Sequence, residues 1–290
     1  MSWAVLVSLG AIWGASYLFI KVGGAEIPAF TFVAGRALIS ATALLVVLRA
    51  RRESLPRRLA GWLPLLVLGL LNGAIPYTLI TLAETQITSG MAAILTAAVP
   101  LFTVLLAHYW ARDERLTGAK TIGIAVGFVG VTVLLWPEIG KGLQLQLWGQ
   151  LAVVAAAASY AVATLVARRY LHGVSHVVAA AGQLTSAALY MAPLSLAFDS
   201  PWALRPSLPA FLSLVVLSLV GTALAYVLYY WLIEHTGATR TAMVTYLIPV
   251  TGLFWGALLL DETITPEAVV GLALIIIGIG FVNRQAPQHA

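Results

Sequence analysis

The sequence contains no cysteine and few charged residues. Without cysteine, a disulfide framework, thiolate catalysis and a cysteine-based metal site are all excluded. Charged residues make up 9% of the 290 residues, whereas soluble domains average about 25%. Because 61% of the residues are hydrophobic, a water-soluble core could not bury this much apolar surface. The composition therefore predicts an integral membrane protein.

Motifs of energy coupling and metal chemistry are also missing from the sequence. No Walker pattern occurs, so ATP is not the direct energy source. His172 and His176 are four residues apart, but Gly173 intervenes and no glutamate follows the first histidine, so we expect no metal and no cofactor. No acid lies clearly at mid-membrane, which favours facilitated export over proton coupling, with Glu84 left open as an exception.

Ten apolar runs are long enough to be membrane helices, since a helix needs about 20 residues to cross the bilayer. The runs cover 3–22, 29–49, 62–82, 88–110, 118–136, 147–168, 176–198, 208–233, 238–260 and 266–283. They are sustained rather than alternating, which excludes a sheet. The first run lacks a basic n-region and a cleavage site, so we interpret it as a retained helix. The sequence predicts an all-α membrane protein with ten transmembrane helices around a central cavity.

The basic residues are distributed unequally between the two sides that these spans define. One side, which includes both termini, collects twelve basic residues: Arg49, Arg51, Arg52, Arg57, Arg58, Arg112, Arg115, Lys120, Arg168, Arg169, Arg240 and Arg284. The other side collects Lys21, Lys141 and Arg205. The positive-inside rule then places both termini in the cytoplasm. The net charge of +5 is therefore a topology signal, and we expect no nucleic-acid partner.

The chain repeats itself at an offset of about 149 residues. YTLITLAETQITSGMAAILTAAVP aligns with YVLYYWLIEHTGATRTAMVTYLIP, which places Pro100 opposite Pro249. Each unit holds five spans, and because five is odd the second unit enters the membrane from the opposite side. The sequence thus predicts two inverted five-helix repeats, 1–140 and 141–290, an arrangement typical of transporters. Two similar halves placed oppositely can open a central site to each side in turn.

The same residues resemble a known family. WGASYLFIK with Pro28 and Arg36 downstream is similar to the start of an EamA unit, and the run from Tyr77 through Pro100 to ERLT (114–117) is similar to its second part. Two such units make the drug/metabolite transporter superfamily, and within it the chain resembles the YddG-type aromatic amino acid exporters. The resemblance implies a ten-helix exporter in the bacterial inner membrane. The second copy departs from the pattern at Gln183, so we do not expect both halves to bind identically.

Polar and aromatic side chains on the repeated spans are the predicted substrate site. An apolar cavity with a few hydrogen-bonding groups suits a flat aromatic or apolar small molecule. Arg36 lies well inside a span, where it would attract a substrate carboxylate or, alternatively, reach the outer interface or bond helix-end carbonyls. Plain packing is the alternative for the serine and the tyrosines. The predicted cavity residues are Trp13, Ser16, Tyr17, Arg36, Asn72, Tyr77, Thr96, Tyr160, Gln183, Tyr226, Tyr230 and Tyr246.

Pro100 and Pro249 lie in the interior of two apolar runs, where proline removes a backbone hydrogen bond. Each leaves the carbonyl four residues earlier, at Thr96 and Thr245, without its usual donor. In lipid this is tolerated only beside another helix, a hydroxyl or cavity water, so we expect both prolines beside the cavity. They are predicted hinges, and a fixed kink that shapes the bundle is the alternative.

The sequence favours a transporter over an enzyme. We expect an exporter of small organic solutes that works by alternating access, with amino acids, including aromatic ones, as substrates. The alternatives are a broad multidrug or quaternary-cation exporter and a threonine or homoserine exporter. An intramembrane enzyme is a remote alternative, because it would need convergent acids or histidines near the midplane. The expected partners are the small-molecule substrate and the lipid bilayer, and we expect the chain to function as a monomer.

Overall fold

The computed structural model describes residues 2–110, 116–140, 144–237 and 241–283, and the side chain of Tyr230 lies outside the described part. Within these ranges the chain forms helices joined by short connections, with no strand. The helices up to residue 139 are α1 (Ser2–Gly24), α2 (Ala29–Ala50), α3 (Leu59–Leu68), α4 (Ile75–Ala83), α5 (Ser89–Thr96), α6 (Val99–Trp110) and α7 (Gly118–Ile139). The later helices are α8 (Leu145–Tyr170), α9 (His176–Phe198), α10 (Leu208–Ser218), α11 (Ala225–Thr236), α12 (Val244–Leu259) and α13 (Pro266–Val282).

In the described part of the chain, eight helical stretches are long and apolar enough to cross a membrane. Two shorter apolar helices, α12 and α13, follow them. The predicted all-α membrane fold is confirmed at this level, while ten spans in two inverted repeats stay a prediction. The eight stretches are Ser2–Gly24, Ala29–Ala50, Leu59–Ala83, Ser89–Trp110, Gly118–Ile139, Leu145–Tyr170, His176–Phe198 and Leu208–Thr236.

Two of these stretches change from α-helix to π-helix at their centres. The first π segment, Gly69–Ala74, joins α3 to α4, and the second, Leu219–Leu224, joins α10 to α11. A π turn redirects side chains and often occurs at functional sites. The sequence analysis did not foresee either segment, because apolar runs carry no sign of the change in hydrogen-bond spacing. Both segments contribute residues to the central cavity described below.

The two repeated prolines have different local structures. A turn at Ala97–Ala98 separates α5 from α6 immediately before Pro100. In the second copy the turn lies earlier, at 242–243, and α12 continues through Pro249. There the amide of Thr245 donates to the carbonyl of Ala242. This turn therefore begins seven residues before Pro249, whereas the turn of the first copy begins three residues before Pro100. Pro100 therefore accompanies a helix break, whereas Pro249 lies inside a continuous helix.

Glycines allow α7 and α13 to approach at backbone distance. A Cβ added to Gly278 would lie 2.6 Å from the carbonyl oxygen of Gly123, and one added to Gly130 would lie 2.8 Å from the carbonyl oxygen of Gly271. Such contacts are sterically forbidden to any larger residue, and small residues are how membrane helices achieve close packing. The other main pairings of the bundle are α2 with α9, α1 with α12 and α4 with α8.

Candidate functional site

A cavity of about 270 Å³ lies in the middle of the bundle. Its wall is mostly apolar and aromatic, with a few hydroxyl, amide and guanidinium groups. The predicted residues that line it are Trp13, Ser16, Tyr17, Arg36, Asn72, Tyr77, Thr96, Pro100, Tyr160 and Tyr226. The residues that the sequence analysis did not select for it are Ile20, Ile80, Ala97, Val99, Thr164, Gly221, Thr245 and Ile248.

Four predicted residues are not placed on this wall. Gln183 lines a neighbouring space, described below. Tyr246 points elsewhere, since its hydroxyl accepts a hydrogen bond of 2.8 Å from the Asn283 amide. Pro249 is buried but is not among the residues that line the cavity, although Thr245 and Ile248 of the same helix are. The predicted role of Tyr230 falls on a side chain outside the described residues.

Arg36 is buried in the cavity wall with only neutral partners. Its side chain is 7% exposed, and its Nε donates a hydrogen bond of 3.0 Å to the hydroxyl of Thr222. The guanidinium carbon lies 3.7 Å from the centre of the Tyr77 ring, in cation–π contact. No carboxylate of the described residues forms an ion pair with it. A buried charge without a counter-ion is costly.

The Asn72 side chain connects the two halves of the chain across the cavity. Its Nδ2 donates to the hydroxyl of Tyr226 over 3.2 Å and to Oε1 of Gln183 over 3.1 Å. Asn72 can be placed here because it lies in the first π segment. These amide and hydroxyl groups form a polar edge where the central cavity meets the adjoining space.

A larger space of about 730 Å³ adjoins the central cavity, and we call it the vestibule. Trp13, Asn72, Thr164 and Tyr226 line both spaces, so the two lie side by side. At its far end the vestibule is lined by residues at and near the α8–α9 connection, among them the exposed Arg168, His172 and His176. We call this end of the bundle the vestibule end.

At the opposite end of the bundle, carboxylates cap helices. The best-connected is Glu262, whose Oε1 accepts from the amide of Ser89 over 2.7 Å. Its Oε2 accepts from the Ser89 hydroxyl over 2.9 Å and from the amide of Gly90 over 3.1 Å. Amides at a helix N-terminus have no intrahelical partner and favour an anion. Glu262 thus ties the connection before α13 to the start of α5.

Two further carboxylates at this end accept hydrogen bonds from the starts of α2 and α10. Asp199 Oδ2 accepts from the amide of Thr31 over 2.7 Å and from its hydroxyl over 3.0 Å. Glu26 accepts from the amide and hydroxyl of Ser207 over 2.7 Å and 2.6 Å. We call the end that carries Glu26, Asp199 and Glu262 the capped end. Each carboxylate joins helices from different parts of the chain, so the caps hold the helix ends together.

Thr222 and Thr164 are site residues that the sequence analysis missed. Thr164 lies four residues after Tyr160 on α8, so helical periodicity from a predicted residue could have found it. Thr222 lies in the second π segment and is recognised only by its hydrogen bond to Arg36. No pattern in a single sequence predicts that Thr222 contacts Arg36.

Comparisons with known proteins agree with this architecture. The model of the EamA-like transporter family matches residues 1–136 and 147–284. An uncharacterized inner membrane transporter of Escherichia coli, YedA, is 30% identical, with 96% of this chain and 89% of the relative covered. An uncharacterized transporter of Bacillus subtilis, YoaV, is 27% identical, with 96% and 94% covered. The YddG-type branch predicted from the motifs stays a prediction.

Two further matches concern activity and fold. A protein of Escherichia coli described as a probable amino-acid metabolite efflux pump is 27% identical, with 92% of this chain and 90% of the relative covered. A solved crystal structure is similar over 97% of this chain and 96% of its own, with a TM-score of 0.69 and 20% identity, and so shares the fold. With both halves matched by the family model, the chain belongs to the EamA-like transporter family.

Proposed function

We propose that this transporter exports amino acids, aromatic ones included, across the bacterial inner membrane by alternating access. The observation that carries the proposal is Arg36, a buried cation with neutral partners in a cavity walled by aromatic rings. The carboxylate of an amino acid would pair with the guanidinium, and its side chain would lie against Trp13, Tyr17 and Tyr160. The chain acts as a transporter and not as an enzyme.

The charge of the cavity favours this class over the alternatives. A quaternary cation would need a carboxylate beside the aromatic rings, and the described wall has an arginine instead. This argues against a quaternary-cation exporter. The relative described as a probable amino-acid metabolite efflux pump supports the amino-acid class.

We further propose that residues 1–140 and 141–290 are two inverted repeats. Reciprocal contacts between equivalent residues support this. Gly123 is equivalent to Gly271 in the sequence repeat and Gly130 to Gly278, and the observed pairs are Gly123 with Gly278 and Gly130 with Gly271. A two-fold axis between α7 and α13 would produce this exchange.

The hydroxyls at the repeated Ser-Tyr pairs support the same axis. Ser159 donates to the Leu71 carbonyl in the first π segment, over 2.7 Å. Its counterpart Ser16 lies against Gly221 in the second π segment, where an added Cβ would be 2.9 Å from its hydroxyl. Each serine therefore contacts the π segment of the other half.

The charge bias orients the molecule. The vestibule end carries Arg168 and Arg169, which belong to the basic side of the chain, so we place that end and both termini in the cytoplasm. We propose that the cavity opens toward the cytoplasm through the vestibule, that the capped end is closed on the outer side, and that the monomer is the working unit.

Transport by purified protein in liposomes tests the proposal. We expect uptake of tryptophan and phenylalanine that exceeds uptake of threonine or an organic dication. Arg36→Ala should lower tryptophan transport by at least about tenfold, the loss expected when a buried charged hydrogen bond is removed. It should affect tryptophanamide much less. Arg205→Ala, which changes an exposed arginine at the capped end, is the matched control and should transport normally.

Two results would overturn parts of this proposal. Equal losses for tryptophan and its amide in Arg36→Ala would remove the carboxylate contact and leave Arg36 a structural role. Preferred transport of threonine over aromatic amino acids would assign the chain to the threonine and homoserine class instead.

A further inference from the structure

Glu84 is a buried acid that neither the cavity nor the caps use. It follows α4 at the capped end, directly after the span Leu59–Ala83. Its side chain is 2% exposed, and both carboxyl oxygens lack a hydrogen-bond partner. Ile80, four residues earlier on the same helix face, lines the central cavity. Glu84 therefore lies one helical turn beyond the cavity, between it and the capped end.

The nearest cation does not neutralise Glu84 by a direct hydrogen bond. The ammonium group of Lys21 donates to the backbone carbonyl of Glu84 and, over 2.8 Å, to the carbonyl of Ile87. It thus closes the connection between α4 and α5, while the carboxyl group remains unpartnered. An ionised carboxylate that is buried without hydrogen bonds is far more costly than a neutral one.

Burial influences the pKa of the Glu84 carboxyl more than the surrounding charges do. Burial raises the pKa of the Glu84 carboxyl well above its usual range, Lys21 acts against this, Glu262 adds to it and Arg36 lowers it slightly. Glu84 in turn acts electrostatically on Tyr17 of α1. The other titratable groups along this side are Tyr77 on α4 itself and Tyr160 on α8, the helix packed against α4.

We propose that Glu84 is a proton-binding site, protonated while the capped end is closed and ionised when that end opens. Opening would admit water to the carboxyl group, which then releases its proton to that water, and reclosing requires a proton to be taken up again. Ionised Glu84 would also stand free to pair with Lys21. The inference rests on the alternating-access part of the proposed function and adds a proton to its cycle.

The sign of the linkage follows from the raised pKa. The closed, folded state binds a proton that the open or unfolded state releases, so its stability is full at low pH and is lost as the pH rises through the raised pKa. Alkaline conditions should therefore open the capped end, and Glu84→Gln, which mimics the neutral acid, should keep it closed.

Infrared titration of the purified protein tests the proton site without any transport assay. The absorption of a protonated carboxyl should persist in the wild type to a pH well above that at which an ordinary glutamate ionises. It should be missing in Glu84→Gln. The control Glu267→Gln, a partly exposed acid at the same end, should retain it.

Thiol labelling tests the link to opening, because the chain has no cysteine. A cysteine at the buried Ile87 should react faster as the pH rises, and a cysteine at the exposed Thr85 corrects for the ionisation of the thiol itself. After this correction, we expect the labelling rate to rise about tenfold for each unit by which opening lowers the pKa of Glu84. In Glu84→Gln the corrected rate should stay low and flat.

The outcomes separate this inference from the proposed function. An ordinary carboxyl titration of Glu84, or the same pH profile in wild type and Glu84→Gln, overturns the proton site and leaves amino-acid export intact. Loss of the tryptophan preference overturns the export proposal and leaves the titration of Glu84 standing.

Discussion

The two ends of the bundle differ in chemistry although the two halves of the sequence are similar. At the capped end, Glu262 and its fellow carboxylates accept hydrogen bonds from helix N-termini, and Glu84 is buried beneath them. At the vestibule end, Arg168 and His172 are exposed and line the vestibule that adjoins the central cavity. The sequence repeat aligns Glu84 with Ile233, an apolar residue of the vestibule wall. Two halves of similar sequence can therefore carry different chemistry at the two ends of the bundle.

The largest predicted effect comes from removing the Glu262 cap. Glu262→Ala leaves two helix amides and a hydroxyl without their acceptor. Hydrogen bonds to a charged group contribute about 1.5–3 kcal/mol, reduced here because Glu262 is partly exposed, so we expect opening of the capped end to increase about tenfold. Labelling of a cysteine at Ile87 measures it. Glu267→Ala is the control, and unchanged labelling in Glu262→Ala would mean that the cap does not hold this end closed.

The second prediction compares the two prolines. Pro100→Ala should restore a helix hydrogen bond worth about 1 kcal/mol at the α5–α6 break, and so slow transport about fivefold while the melting temperature holds or rises. Pro249→Ala, inside the continuous α12, should change transport less. Liposome transport and thermal melting of both variants and of the double variant check this. Wild-type rates in a folded double variant would leave both prolines with a shaping role only.

A smaller effect is expected at Thr222. Thr222→Val removes the hydroxyl that accepts from Arg36, while the cation–π contact with Tyr77 remains. Tryptophan affinity should fall about threefold, since one neutral partner of a charged donor is lost and the other is kept. Thr222→Ser keeps a hydroxyl and should bind normally. Equal affinities in Val and Ser variants would show that Thr222 does not position Arg36.

The smallest effect is expected at Glu26, which is fully exposed to solvent. Its hydrogen bonds from Ser207 lower the pKa of the Glu26 carboxyl. A lowered pKa means that this cap is complete at neutral pH and is lost only as the pH falls through the lowered value. Glu26→Gln should therefore change labelling at the capped end less than about twofold at neutral pH, because water can replace hydrogen bonds that are exposed to solvent. An effect as large as that of Glu262→Ala would contradict this ranking.

Much of the cavity could be predicted from the sequence because its residues follow rules that act within one helix. Trp13, Ser16 and Tyr17 share a helix face by their spacing, and Arg36 is conspicuous as a cation inside an apolar run. The repeat then indicated which later spans to examine, and Tyr226 was placed by its alignment with Tyr77.

What could not be predicted depends on contacts between distant segments and on backbone irregularities. The second π segment places Thr222 against Arg36 and Gly221 in the cavity wall, and nothing in the composition of the apolar run indicates this. Tyr246 was expected in the wall, but the turn at 242–243 precedes it and its hydroxyl bonds to Asn283 instead. The caps made by Glu26 and Glu262 join residues 181 and 173 positions apart, which a single sequence does not disclose.

Labelling of a cysteine at Thr164 tests the central claim most directly. Thr164 is exposed and lines both the cavity and the vestibule, and the chain has no other thiol. A membrane-impermeant reagent should reach this cysteine in inverted vesicles, from the cytoplasmic side, and tryptophan should protect it. In right-side-out vesicles the reaction should be slow. Faster reaction from the outer side, or no protection by any amino acid, would contradict a substrate cavity that opens inward while the capped end is closed.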